Sequence, residues 1–195
     1  MALASSILQR RYIFQMTGLE GSAVKVLQTE NGKPYFGELH YNVSHHDGIV
    51  VLVGFSHPIG VDIVSRRGSS EDYAAAAELM LSDEEISEAK SGKTESGIET
   101  MKRINIAFKE AYMKFTGKPD WNRVESIQFR DIKLPYTRTS VPNAVGQIVV
   151  DGKKQTGYCE YHLVESHIIA VYTSHRPENI SDFATISLEK KCLIH

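Results

Sequence analysis

Ile49-Val50-Val51-Leu52-Val53-Gly54-Phe55-Ser56-His57-Pro58-Ile59-Gly60-Val61-Asp62-Ile63-Val64 is the stretch on which the fold turns. Ile49 to Phe55 is a continuous apolar run of strand length, rich in β-branched residues. Ser56, His57 and Pro58 break it with turn chemistry, and residues 59–64 resume it. The two runs are expected to pair as an antiparallel hairpin. Asp62 is the one ionisable residue in the second run, and its position needs an explanation.

On the N-terminal side, Leu3, Ile7, Leu8, Ile13 and Phe14 recur at helical spacing, so residues 3–16 are expected to form an amphipathic helix. A short strand over 24–27 and a turn at Asn31-Gly32-Lys33-Pro34 follow. On the C-terminal side come a loop at 66–70 and a helix over 73–80. Ser82 is expected to cap a further helix, with Glu85 completing a capping box. Residues 91–97 have the composition of a flexible loop. Ile98, Met101, Ile104, Phe108, Ala111, Tyr112 and Phe115 then recur at three- and four-residue steps, marking the strongest helix, which Gly117 stops. Segments around 127–132, 144–150, 158–164 and 168–173 read as strands. The fold class is α+β, with antiparallel sheet packed by the long helix. The tail beyond Arg176 is polar.

With 195 residues, 42% apolar and 24% charged, the chain can bury one good core or two small ones. A formal net charge of −2 gives no general attraction to nucleic acid. Charge is uneven, however. Acids dominate residues 71–90, whereas Lys102, Arg103, Lys109, Lys114 and Lys118 face only Glu110 between 102 and 118, so the long helix offers a basic face for an acidic partner. Cys159 and Cys192 have no metal-ligand spacing, which favours a reducing compartment. No apolar run approaches the roughly 20 residues of a membrane span, and the start lacks a signal peptide's basic region. A cytoplasmic protein is expected.

Strand alternation puts Gly60, Asp62 and Val64 on one face, and Ile59, Val61 and Ile63 on the core face. Asp62 therefore either lines a cleft, where a divalent metal would offset its desolvation, or faces water from an edge strand. Glu110 and Lys114 stand four apart on one helix face. They form either a solvated pair worth roughly 0.2–0.5 kcal/mol or, with Lys109, a hard-cation ligand beside phosphate-binding ammonium groups. Mg²⁺ takes one or two carboxylates and fills its shell with waters and phosphates, so Asp62 and Glu110 would suffice. Asn42-Val43-Ser44-His45-His46, together with Gly32-Lys33-Pro34, could form a phosphate-cradling loop. A zinc site from His40, His45 and His46 is disfavoured, because adjacent histidines point apart and no acid or Cys completes a tetrahedral set. A Ser44–His45 hydrolase lacks a nucleophile elbow.

In order, Gly32-Lys33-Pro34, Asn42-Val43-Ser44-His45, Gly60-Val61-Asp62-Ile63-Val64 and Phe108-Lys109-Glu110-Ala111-Tyr112-Met113-Lys114 resemble the motifs of phosphopantetheinyl transferases of the surfactin-synthetase type. Within that family the closest look is to eukaryotic, especially fungal, enzymes serving aminoadipate reductase of lysine synthesis. The resemblance implies Mg²⁺-dependent transfer of the phosphopantetheine arm of coenzyme A to a carrier-protein serine, releasing 3′,5′-ADP. Carriers would be acyl or peptidyl domains of aminoadipate reductase or of fatty acid, polyketide or nonribosomal peptide synthases. Asp62 and Glu110 would hold the metal, Glu110 would serve as general base, and Lys114 would meet the pyrophosphate. Lys33 and His45 would hold the 3′-phosphate end of coenzyme A, with Asn42 and Ser44 beside them.

The resemblance also implies pseudo-twofold half-domains, the first incomplete. Residues 1–56 would be its remnant with the coenzyme A-binding loops, 57–178 the transferase domain and 179–195 a tail. Departures from the family pattern are Val64, where bacterial members often carry a second carboxylate, Ile106, where a Trp is common, and Gln28 in place of an arginine. The alternative is a catalytically impaired homologue that binds coenzyme A or a carrier without transfer.

Overall fold

A computed structural model describes residues 2–66, 71–91, 94–134, 140–142, 144–177 and 186–188. The chain begins with α1 (Ala2–Thr17), followed by β1 (Leu27–Gln28), β2 (Pro34–Tyr35), β3 (His40–His46), β4 (Ile49–Phe55) and β5 (Ile59–Ser65). Three helices come next, α2 (Glu71–Met80), α3 (Asp83–Lys90) and α4 (Glu95–Thr116). The remainder is β6 (Ile127–Arg130), β7 (Ser140–Pro142), β8 (Gln147–Val150), β9 (Lys153–Gln155), β10 (Tyr158–Val164), β11 (His167–Thr173) and β12 (Ile186–Leu188). All strand pairs are antiparallel, and the α+β class is as expected.

The expected pairing of the two apolar runs does not form. β4 lies between β12 and β3, so both its edges are taken, while β5 pairs with β11 in a second sheet of order β5-β11-β10-β7. The hairpin runs instead from β3 to β4 through Asp47 and Gly48, whose φ values of 42° and 87° give the doubly left-handed turn that Asp-Gly favours. Ser56-His57-Pro58 carries the chain from one sheet to the other. The Pro58 carbonyl accepts a 2.9 Å bond from Thr173 Oγ1, fixing the crossover to the end of β11.

Four layers result. Ala4, Leu8 and Tyr12 of α1 pack on Val50 and Leu52 of β4. Val51 and Val53, from the opposite face of β4, meet Ile59, Val61 and Ile63 of β5 and Ile169 and Val171 of β11. The other face of β11, with Ile168, Ala170 and Tyr172, packs on Met101, Ile104, Phe108 and Ala111 of α4. Strands buried on both faces read as continuous apolar runs rather than alternating ones, which is why periodicity alone could not pair them. At Gly60 the layers come closest: a Cβ there would lie 1.9 Å from the Ala111 carbonyl oxygen and 2.7 Å from the Phe115 nitrogen. Glycine is required for α4 to lie this near β5.

The helices start and stop as their sequence signals direct. Ser82 and Glu85 form the reciprocal capping box of α3, and Gly117, at φ 66°, ends α4 by donating its N–H to the Met113 carbonyl. Thr94 caps α4, so residues 95–97 belong to the helix and not to a loop. Of the strand expected over 24–27 only Leu27 is in a strand, β1, which continues to Gln28. In α1, Leu8 and Ile13 are buried, whereas Leu3, Ile7 and Phe14 are exposed. All but Arg66 of the loop expected at 66–70, positions 92 and 93, and most of the tail beyond Arg176, Cys192 included, lie outside the described residues.

Candidate functional site

Asp62 sits on the face of β5 toward α4 and is only 3% exposed, so it lines the interior and does not face water. Its partners come from two other elements. Ser44 Oγ of β3 donates to Asp62 Oδ1 at 2.8 Å, and Lys114 Nζ of α4 donates to the same oxygen at 2.5 Å and to Ser44 Oγ at 2.8 Å. Asn42, two residues before Ser44 and on the same face of β3, accepts the Val61 N–H at 3.1 Å through Oδ1. That bond gives the β5 edge a side-chain partner where no strand pairs with it.

Glu110 lies one helical turn before Lys114 and is half-buried. Burial first, and the negative charge of Asp62 second, push its carboxyl up to about 7, with Lys114 opposing. Asp62, engaged through Oδ1 among the described residues, and the Glu110 carboxyl are oxygen donors of the kind that could hold a hard divalent cation. The Lys114 ammonium supplies positive charge at this point. The sequence pair Asp62 and Glu110 is thus brought together, with Lys114 between them and the β3 strand.

Beside this group opens a cleft of about 290 Å³, lined by Asn31, Gly32, Lys33, Pro34, Asn42, Val43, Glu110, Met113, Lys114, Gly117, Pro119 and Trp121. Its volume is near the lower end of the roughly 300–1,000 Å³ usual for small-molecule sites. Lys33 projects along this wall and donates to the Lys114 and Phe115 carbonyls at 2.7 and 3.3 Å. Asn31 Nδ2 donates to the Gly117 carbonyl at 2.8 Å. The Asn31–Lys33 turn therefore caps the C-terminus of α4, where cations and donors offset unpaired carbonyls. Burial lowers the proton affinity of Lys33.

Three readings of the sequence change here. Asn42, Ser44 and His45 lie in strand β3 rather than in a loop. Because alternation places His45 with Tyr41 and Val43, which pack toward α1, it is exposed on the face opposite Ser44. Lys109 is fully buried, its Nζ 2.6 Å from Glu85 Oε2 and bonded to the Met80 and Val124 carbonyls, so it is a structural strut and not a phosphate ligand. The basic face of α4 dissolves for the same reason. Arg103 is buried over the Tyr73 ring at 3.7 Å and donates to the Ser65 carbonyl, Lys102 pairs with Glu99, and Lys114 turns to Asp62.

Trp121 and Pro119 line the cleft without having been singled out from sequence. The one signal available was Trp121 itself, the single tryptophan of the chain, which is 49% exposed at the cleft.

Fold and site together give an α+β protein with a cleft where Glu110 and the Lys114 ammonium stand side by side, Lys114 being bonded to Asp62. Residues 1–57 match the family model described as 4′-phosphopantetheinyl transferase, N-terminal. A protein named 4′-phosphopantetheinyl transferase gsp, from Aneurinibacillus migulanus, is 31% identical over 121 residues, covering 60% of this chain and 48% of the relative. A phosphopantetheinyl transferase of a Thraustochytrium species is 28% identical over 131 residues, covering 60% of this chain and 46% of the relative. The chain is similar to phosphopantetheinyl transferases, and it spans about half the length of the curated relatives it matches. Among the described residues no helix is long and apolar enough to cross a membrane.

Proposed function

We propose that the chain transfers the 4′-phosphopantetheine arm of coenzyme A to a serine of an acyl or peptidyl carrier protein, with Mg²⁺ as cofactor. The observation that carries this reading is that Glu110 and Lys114 of α4 line one cleft, with Asp62 of β5 bonded to Lys114 and its charge acting on Glu110. Asp62 and Glu110 would hold Mg²⁺, which would supply charge neutralisation of the diphosphate and of the leaving 3′,5′-ADP.

The chain's own groups divide the remaining work. Lys114 binds and orients the diphosphate. Glu110 accepts the serine proton directly or through one water as the serine oxygen bonds to the phosphorus bearing the pantetheine arm. The bond from that phosphorus to 3′,5′-ADP breaks in the same displacement. Ser44 holds Asp62 in place through Oδ1. Lys33 would meet the 3′-phosphate end of coenzyme A from the cleft wall and His45 from the exposed outer face of β3, and Asn42 anchors the strand that carries Ser44. Carriers of the aminoadipate-reductase kind head the expected partners, with fatty acid, polyketide and nonribosomal peptide synthase carriers in the same class. The layers α1 on β3–β4 and α4 on β5–β11 accord with two half-domains of like design. Cys159, free and buried, accords with a reducing, cytoplasmic setting.

One observation favours a second reading, a homologue that binds coenzyme A or a carrier without transfer. Lys33 and Lys114 both already have protein partners, the α4 carbonyls and Asp62. Intact mass of an apo acyl carrier protein, after incubation with the full chain, coenzyme A and Mg²⁺, separates the two. The expected result is a gain of one phosphopantetheine that a chelator abolishes, and that Asp62→Asn loses while remaining folded. Coenzyme A binding with no mass gain would establish the second reading.

A further inference from the structure

His46 closes β3, Asp47 opens the turn into β4, and His167 opens β11 in the other sheet. One ligand atom from each lies within 4.8 Å of the others. His46 Nε2 stands 3.3 Å from Asp47 Oδ2, the separation expected of two ligands about 2.0–2.1 Å from a tetrahedral ion. The His46 and His167 rings meet edge to face with centroids 5.7 Å apart.

The independent observation is the state of His167. The residue is 5% exposed, its Nδ1 lies 3.3 Å from Ser166 Oγ, and its Nε2 is buried with no hydrogen-bond partner among the described residues. A buried polar atom without a partner is uncommon in a folded protein and calls for an explanation. The arrangement matches the usual anatomy of a metal-bound imidazole, in which one ring nitrogen meets a polar neighbour and the other is left for the ion. The turn adds preorganisation, since Asp47 and Gly48 at φ 42° and 87° fix how His46 and Asp47 are presented.

We propose that His46, Asp47 and His167 form a divalent transition-metal site that binds Zn²⁺. Two imidazoles and a carboxylate suit Zn²⁺ and not Mg²⁺, which takes oxygen donors. Three protein ligands leave the fourth tetrahedral position to water. The ion would tie the β3–β4 turn to the start of β11, linking the two sheets at the edge where no strand hydrogen bonds join β3 to β5. The site stands apart from the Asp62–Glu110 pair in both residues and donor chemistry, and it rests on no part of the transferase reading.

The test uses the full chain, stripped with a chelator and titrated with Zn²⁺ alone by calorimetry, with bound metal counted after dialysis. The expected result is one Zn²⁺ per chain. His46→Ala, at a half-exposed position, and His167→Ala should each weaken binding at least tenfold. His45→Ala and the Asp62→Asn/Glu110→Gln pair should retain it. Thermal unfolding gives a second readout: Zn²⁺ should raise Tm in the wild type and not in His46→Ala. The proposal is overturned if the wild type binds no Zn²⁺, if His46→Ala binds it equally well, or if only the Asp62→Asn/Glu110→Gln variant loses it.

Discussion

Replacing Glu110 by glutamine removes a charge while keeping the side chain's shape, and its consequence for stability follows from the geometry. Burial first, and the neighbouring Asp62 charge second, raise the carboxyl's pKa from an ordinary 4.5 to about 7. A carboxyl that holds its proton to higher pH in the folded chain than in the unfolded one contributes stability fully below about 4.5. That contribution is lost as pH rises through about 7. Each pH unit of the difference is worth ~1.4 kcal/mol, so ionised Glu110 costs the metal-free fold on the order of 3 kcal/mol, and roughly 1–3 kcal/mol after relaxation around the charge. Glutamine escapes that cost. At about 2–4 °C per kcal/mol for a chain of this size, Glu110→Gln should melt roughly 3–10 °C above the wild type near pH 8 in chelator, and the two should converge near pH 5. Circular dichroism melts across that range read the difference directly. Added Mg²⁺ should stabilise the wild type and not the variant, closing the gap. A variant no more stable than the wild type at pH 8, or a gap that does not change with pH, would refute the placement of an ionisable Glu110 beside Asp62.

Gly60→Ala would drive a Cβ to 1.9 Å from the Ala111 carbonyl oxygen. α4 must then shift, at a cost of roughly 1–3 kcal/mol or more, and Glu110 and Lys114 would be carried away from Asp62. Urea unfolding within about 0.5 kcal/mol of wild type would contradict the close packing. Lys109→Met leaves Glu85 buried without its cation and should cost about 3–5 kcal/mol, most of it recovered by adding Glu85→Leu. A single-variant loss below about 1 kcal/mol would mean that the pair is not desolvated as described. Lys33→Ala should cost ~1–3 kcal/mol because it strips the α4 carbonyls of a charged donor, whereas His45→Ala should stay within about 0.5 kcal/mol. On the transferase reading both should also raise KM for coenzyme A, and a loss in kcat with KM unchanged would argue against that role.

The sequence by itself determined the elements that depend on local chemistry. The periodic apolar face of residues 98–115, the capping box at Ser82 and Glu85, the stop at Gly117 and the alternation of β5 all read correctly, because each is settled by residues within one or two turns of one another. It also named Asp62 and Glu110 as the pair to watch, since a carboxylate inside an apolar strand and a Glu on a helix face are both visible in one dimension.

What only the tertiary structure decided is which surfaces meet. Lys109 and Lys114 stand five residues apart in one helix, yet one is sealed against Glu85 and the other reaches Asp62, because α4 is buried along more than one face. The apolar runs 49–55 and 59–64 belong to different sheets, since both edges of β4 were already taken by β3 and β12. From sequence, a zinc site from His40, His45 and His46 is disfavoured because adjacent histidines point apart and no acid or Cys completes a tetrahedral set, a reading that does not pair His46 with Asp47 and a residue remote in sequence. The partner is His167, some 120 residues on, brought near by the antiparallel register of β11 against β5. Local propensity and hydrophobic period specify which element forms, but its buried neighbours are chosen by the whole core at once, so long-range pairings carry no signature at either end of the chain.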